Sequence, residues 1–227
     1  MRVIKNERLR TVLRYLLPFV LMPGVITLGM IFLEAKYHGI VTVAVLLLSL
    51  LLFLCGFDRR MVGVRRQVIV AVMVALSVVG RFIPFFKPIT AMTTITGMYL
   101  GGEAAFLVGA LSAVISNFFY GQGPWTPFQM MAWGLIGLFA GFLAPLLRKS
   151  RIFLWVFALL SGVAFSAMMD IWTAISGDGF SWPTYLAALI TALPHTALYC
   201  VSNVIFLGLC ARPFGRKLER VKKKYGV

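Results

Sequence analysis

Residues 116–134 read SNFFYGQGPWTPFQMMAWG, and the rest of the chain is organised around this stretch. It lies between two apolar runs. It gathers the glycines Gly121, Gly123 and Gly134, the prolines Pro124 and Pro127, the amides Asn117, Gln122 and Gln129, and the aromatics Phe118, Phe119, Tyr120, Trp125, Phe128 and Trp133. Glycine admits backbone conformations closed to other residues, and proline fixes φ and removes a donor. Gly121 to Pro127 is therefore expected to be an ordered, non-helical turn. Such a turn cannot face lipid, where every unsatisfied backbone polar group is costly, so it lies in water or lines a cavity. Amides and indoles at the mouth of a helical bundle suit a pocket for a partly apolar, hydrogen-bonding small molecule. They also suit a plain aromatic belt at a membrane interface. Gln129 and Trp133 stand four residues apart, on one helix face below the turn, which favours a shared pocket wall.

Composition sets the class. With 227 residues, 60% of them hydrophobic, a mean hydropathy of +0.92 and 13% charged residues against the usual ~25%, the chain reads as a polytopic membrane protein. A net charge of +15 raises the question of nucleic acid, but a nucleic-acid binder carries its basic residues on one folded face. Here they sit between apolar segments, so they report orientation in the membrane first. Cys55, Cys200 and Cys210 are scattered within apolar runs, without a CxxC or pairing pattern, and read as small core hydrophobes. Arg8, Arg10 and Arg14 precede an apolar run in the manner of a signal peptide. No small-residue cleavage site follows, so that run is expected to stay as a membrane helix.

Apolar segments of bilayer-crossing length fall at Tyr15–Leu33, Ile40–Phe57, Val68–Ile83, Ile89–Leu100, Ala104–Phe119, Phe128–Leu147, Ile152–Ile175 and Tyr185–Ala211. The fourth is short and ends in Gly101 and Gly102, which suggests a tilted, broken or partly inserted helix. With a cytoplasmic N-terminus, all of the 22 basic residues except Lys36, Arg81 and Lys87 fall on inside segments. So lopsided a distribution supports eight helices with both termini inside. Three of the outer connections are rich in proline, aromatic and polar residues: 81–88, 120–127 and 176–183, the last containing Trp182. The inside connections are short and basic, suited to an anionic inner leaflet or a partner protein.

Small residues at spacing four recur at Ala71 and Ala75, Gly97 and Gly101, Ala105, Gly109 and Ala113, and Gly137 and Gly141. Such stripes let helices approach closely, within the bundle or against another subunit. Ala71 and Ala75, near the cytoplasmic end of their helix, are best placed for the second role. Ionisable residues inside a membrane are functional candidates by default. Asp170 lies near the outer end of its helix, within reach of Arg81 or Lys87 from the neighbouring connection. The bland alternative is a structural ion pair. His195 follows Pro194, whose missing donor frees a carbonyl one turn back, so local polarity there can line a cavity. Asn203, deeper in the same helix, reads as a bridge between helices.

No catalytic constellation is present: no GxSxG, HExxH or GxxxxGK motif, no phosphotransfer pattern, and no second histidine or cysteine at ligand spacing from His38 or His195. The reading therefore contains no catalytic residue, no metal site and no cofactor. The chain also lacks an ATP site, so active uptake would need an outside motor.

With these residues in place, the stretch from Val68 to Ala211 resembles the membrane-embedded substrate-binding S components of energy-coupling factor (ECF) vitamin transporters. The likeness is carried by Ala71 and Ala75, by RFIPFFKP at 81–88, by the helix pair ITGMYLGGEAAFLVGALSAVISN, and above all by the SNFFYGQGPWTPFQM turn. It implies six core helices and a vitamin or related micronutrient bound from the outer face of a bacterial cell membrane. It also implies a transmembrane coupling subunit meeting Ala71 and Ala75, and two ATPase subunits. The turn looks most like that of members linked with cobalamin-type compounds. Two extra helices before Val68 depart from the pattern.

The expectation is thus an all-α polytopic membrane bundle. Two N-terminal transmembrane helices occupy residues 1–67, a six-helix substrate-binding core 68–211 and a basic cytoplasmic tail 212–227. Substrate contacts are expected from Arg81, Lys87, Asn117, Tyr120, Gln122, Trp125, Gln129, Trp133, Asp170, Trp182 and His195. Three rival readings are an ion-coupled carrier using Asp170 and His195 as a proton relay, an integral-membrane enzyme acting on lipid, and a structural assembly factor.

Overall fold

The computed structural model describes residues 6–33, 35–56, 64–84, 87–177 and 179–225, and every regular element among them is a helix. Phe85, Phe86 and Asp178 of the expected outer connections, and Arg2, Lys5, Arg59 and Arg60 of the basic segments, lie outside the described residues. The first rod begins at α1 (Glu7–Leu16), where the Asn6 side chain accepts from the Arg8 and Leu9 amides at 3.0 and 3.3 Å. That cap satisfies two donors that a helix start leaves orphaned. A five-residue π-helical stretch containing Pro18 links α1 to α2 (Met22–Phe32), so Glu7–Phe32 forms one continuous 26-residue span.

Then follow α3 (His38–Cys55), α4 (Val64–Gly80), α5 (Ile89–Leu100), α6 (Gly102–Tyr120), α7 (Thr126–Phe142), the short α8 (Ala144–Lys149), α9 (Arg151–Ile175) and α10 (Trp182–Tyr225). A helix runs through each of the eight expected apolar segments, the third ending at Gly80 instead of Ile83. Five spans are long and apolar enough to cross a membrane: Glu7–Phe32, His38–Cys55, Gly102–Tyr120, Arg151–Ile175 and Trp182–Val221. The fourth segment, α5, has 12 residues and at 1.5 Å per residue reaches only ~18 Å, short of the ~30 Å hydrocarbon layer. All its residues but Tyr99 are buried. A helix with no charged residue, whose Thr93 and Thr96 hydroxyls bond back to its own carbonyls, can be buried all round, and α5 lies in the middle of the bundle, packed by α6, α7, α4 and α10.

The centre of the molecule is a seam of backbone contact. A Cβ added at Gly109 of α6 would come within 2.6 Å of the Trp133 carbonyl carbon in α7, and one at Gly97 of α5 within 2.5 Å of the Gly137 carbonyl oxygen. The small-residue stripes of α5, α6 and α7 are thus consumed in packing these helices on one another. Ala71 and Ala75 behave differently: both are exposed, beside Val68, Val72, Leu76 and Val79, on a face of α4 that no described residue covers. Elsewhere α9 and α10 pair antiparallel, and the Asn203 amide donates to the Ala158 carbonyl at 3.3 Å, the expected bridge between helices.

The N-terminal helices are part of the bundle. α3 packs on α6, Tyr15 stacks on Phe142 with ring centres 6.3 Å apart, and Phe19 meets Phe139 at 6.0 Å. Arg14 pairs with Glu103 at 2.8 Å. The buried Arg66 donates to the carbonyls of Leu100 and Gly56 at 2.8 and 3.1 Å, closing the same end of the bundle. At the other extremity of the chain α10 runs without a break past Ala211, so the basic tail is a continuation of the last core helix.

The glycine seam predicts opposite outcomes for one substitution at two places. Gly109→Ala lowers the unfolding free energy of the detergent-solubilised protein by ~1–3 kcal/mol, because the atoms it meets are backbone and cannot turn aside. Gly24→Ala, in α2 with nothing within 4 Å, raises it by ~0.5–1 kcal/mol. Thermal unfolding of both variants is the check, and an unchanged Gly109→Ala protein would mean that α6 and α7 are not in contact.

Candidate functional site

The 116–134 stretch folds more tightly than its sequence suggests. Only Gly121 to Trp125 is non-helical, with Gly121 at φ +98°, and α7 begins at Thr126 with Pro127 in its first turn. Pro127 thus starts the helix instead of extending the turn, because a first-turn residue needs no amide donor. The turn is closed by side chains: Gln122 donates to the Val114 carbonyl at 2.7 Å and accepts from the Thr126 hydroxyl at 3.1 Å, while the Trp125 ring lies over Gly123.

Beneath this end of the bundle is a cavity of 240 Å³. Arg81 and Lys87 reach it from the α4–α5 connection, Gln129 and Trp133 from α7, Phe165, Ser166, Met169 and Asp170 from α9, and Ala192, His195 and Tyr199 from α10. Six of the expected site residues therefore share one cavity: Arg81, Lys87, Gln129, Trp133, Asp170 and His195. Asn117, Tyr120, Gln122 and Trp125 stand behind or above that lining. Trp182 is 68% exposed at the start of α10, against Phe180 and Tyr185, and does not line it.

Arg81 is held on every side. One terminal guanidinium nitrogen donates to the Ser116 hydroxyl and, at 2.7 Å, to Asn117 Oδ1. The guanidinium lies over the Tyr120 ring at 4.7 Å and the Trp133 ring at 5.4 Å, and Tyr120 in turn donates to the Arg81 carbonyl at 2.8 Å. Its Nε is buried with no acceptor among the described residues. Burial pushes the guanidinium pKa down from its ordinary value, and Lys87 shifts the same way, through burial first and the Arg81 charge second. Asn117 is the hub behind the wall: it accepts from Arg81 and donates to Thr126 Oγ1 at 2.9 Å and Gln129 Oε1 at 2.8 Å.

Much of the remaining lining is aromatic. Trp133 stacks on Phe165 with ring centres 4.8 Å apart, Phe165 on Tyr199 at 4.7 Å, and His195 on Tyr199 at 6.0 Å. The Trp133 indole donates to the Tyr199 hydroxyl at 2.7 Å, and Thr90 lies 3.0 Å from the same oxygen. Asp170 accepts weakly from Ser166 at 3.5 Å, and Ser166 is 2.5 Å from the Thr196 hydroxyl. The bland alternative for Asp170, an ion pair with Arg81 or Lys87, is not present among the described residues: Arg81 is turned toward Ser116 and Asn117 on α6. Two cations and one acid thus face the cavity without neutralising one another.

A family model described as the ECF transporter, substrate-specific component, matches residues 65–214. The chain belongs to that family. Comparison with curated proteins and with solved structures finds no match. The matched segment contains α5 to α9 and most of α4 and α10, and with them every residue that lines the cavity. A substrate-specific component is the membrane-embedded, substrate-binding subunit of a larger transporter and not an enzyme, which agrees with helices of membrane-crossing length around a largely apolar cavity that carries a few polar and charged groups.

In this substrate-specific component the sequence reading overlooked Phe165, Ser166, Met169, Ala192 and Tyr199. Two of these carried a usable signal. Tyr199 follows His195 by four residues and Ser166 precedes Asp170 by four, the same spacing that linked Gln129 to Trp133. Phe165, Met169 and Ala192 look like any other apolar helix residue.

Asn117→Leu removes the hub and leaves Arg81, Thr126 and Gln129 each short of a buried partner. Its expected cost is ~1–3 kcal/mol of unfolding free energy. Gln122→Ala, at the partly exposed turn, costs less than ~1 kcal/mol by the same scale. Thermal unfolding of the two variants side by side reads the difference, and equal losses would remove Asn117 from its central place.

Proposed function

We propose that the chain captures a small, planar organic anion of the vitamin or micronutrient class at the outer face of a bacterial cell membrane, and delivers it inward when partner subunits drive reorientation. The observation that carries this reading is the cavity itself: two unneutralised cations beside a run of stacked rings, with an amide, an acid and an imidazole completing the lining. Arg81 and Lys87 bind a carboxylate or phosphate. Trp133, Phe165 and Tyr199 present ring faces and edges to a flat skeleton, while Gln129, Asp170 and His195 exchange hydrogen bonds with its polar atoms. Asn117, Tyr120, Gln122 and Trp125 hold that lining in place, and Trp182 stands at the rim. A volume of 240 Å³ falls just below the ~300–1,000 Å³ of common ligand pockets. A corrinoid is several times larger than this, so a smaller compound is favoured over cobalamin.

Orientation is supported by charge. The cavity lies at the end opposite the basic residues of α8, α9 and the tail of α10, and Lys and Arg collect on the cytoplasmic side. Energy comes from a transmembrane coupling subunit and two ATPases, since the chain has no nucleotide motif of its own. The uncovered face of α4 around Ala71 and Ala75 is the docking face we assign to the coupling subunit. A second reading, a stand-alone proton-coupled carrier, draws on the presence of Asp170 and His195 in one cavity.

Reconstitution separates the two. Binding by the lone chain, with uptake only when coupling and ATPase subunits are added with ATP, supports the proposal; uptake by the lone chain under a proton gradient replaces it with the carrier. Mass spectrometry of whatever small molecule co-purifies supplies the test ligand. For an anionic ligand, Arg81→Gln weakens binding ~10–100-fold, the loss of one charge-assisted hydrogen bond. Affinity also falls with rising pH as Lys87 loses its proton, beginning below the ~10.4 of an ordinary lysine because burial and Arg81 both lower its pKa. Lys87→Gln is expected to abolish that alkaline limb, and titration calorimetry across the pH range measures it.

A further inference from the structure

A second concavity, of 140 Å³, lies at the opposite end of the bundle, where the α8–α9 corner meets α5 and α10. Four basic residues line it: Arg148, Lys149, Arg151 and Arg212. Arg148 is already engaged, paired with Glu219 and laid over the Tyr99 ring at 4.8 Å. Lys149, Arg151 and Arg212 are exposed, and among the described residues no carboxylate pairs with any of them. Three like charges around one depression repel each other until an anion enters.

Two further features say what kind of anion. The Trp155 ring lines the same depression, with its Nε1 3.8 Å from where a Cβ on Gly208 would sit, and this indole N–H has no acceptor among the described residues. It offers a hydrogen bond beside the three cations. One to three turns further from this end, α9 and α10 expose Leu159, Val201 and Ile205 on helices long and apolar enough to cross a membrane. A cationic, indole-bearing mouth above an apolar helical surface complements an amphiphile, not a free ion.

We propose that this depression is a binding site for an acidic glycerophospholipid, its phosphate held by Lys149, Arg151, Arg212 and the Trp155 indole and its acyl chains lying along α9 and α10. The site is independent of the substrate cavity, which faces the other end of the molecule. A bound lipid would cross-link the α8–α9 corner to α10, whose last turns carry a further run of basic residues.

The test uses the purified full chain in a neutral detergent, titrated with dioleoylphosphatidylglycerol, with dioleoylphosphatidylcholine, or with inorganic phosphate, and followed by native mass spectrometry and thermal unfolding. Phosphatidylglycerol is expected to stay bound and to raise the unfolding temperature by several degrees, with phosphatidylcholine and millimolar phosphate inert. The double variant Arg151→Gln/Arg212→Gln is expected to bind phosphatidylglycerol at least tenfold more weakly, and Arg151→Lys/Arg212→Lys to retain most of the affinity. Trp155→Phe, which keeps the ring and removes the donor, should lose a few-fold and serves if the double variant does not fold. Equal stabilisation by both lipids overturns the proposal, as does stabilisation by phosphate alone or undiminished binding by the double and Trp155→Phe variants. So does protection of Arg151 and Arg212 from phenylglyoxal only in an assembled transporter, which would mark a protein interface.

Discussion

Contact between the backbones of α6 and α7 is the constraint from which the rest of this structure follows. Gly109 brings α6 against the peptide of Trp133, and Gly141 of α7 lies against Gly102 at the start of α6, so the two helices touch at both levels. At that distance Asn117 near the end of α6 reaches Gln129 in the first turns of α7, and Ser116 and Asn117 together reach Arg81. With its backbone pressed to α6, Trp133 projects its indole the other way, where it stacks on Phe165 and bonds to Tyr199. A wider separation would lose the network and the aromatic wall together.

Arg81 shows how the bundle keeps a charge without spending it on an ion pair. A buried charge is costly unless hydrogen-bonded or paired, and here two side-chain acceptors and two ring faces supply the compensation. The nearest acid in the cavity, Asp170, is left to Ser166 and to the side of His195. Lys87 is anchored by its backbone, which donates to the Ser202 hydroxyl at 3.0 Å, so the α4–α5 connection is tied to α10 while its ammonium stays available. Opposite charges are thus turned to the cavity and not to each other.

The two ends of the molecule do different work. At the cavity end, polar side chains bond mainly to one another across helices. At the basic end, Arg66 and Arg14 tie α1, α3, α4, α5 and α6 together, while Lys149, Arg151 and Arg212 are exposed. The N-terminal helices join both ends. Their aromatic contacts with Phe139 and Phe142 make them a buttress of α7, the helix that carries Gln129 and Trp133 into the cavity.

Local properties were legible in the sequence because they depend on neighbours along the chain. Eight apolar runs became helices, the shortness of the fourth was visible in its own residues, and the polar residues of the cavity end could be singled out by type. The family, too, could be recognised from the helix pair and turn that carry its pattern. Contacts between residues tens of positions apart were not legible. Asp170 did not meet Arg81, and Tyr199, Phe165 and Ser166 joined Asp170 and His195 in the lining from helices on which the sequence had singled out other residues. Hydropathy and turn chemistry act over a few residues, whereas the direction a side chain faces in a bundle is set by how closely two backbones can approach, and that distance exists only after the helices have packed.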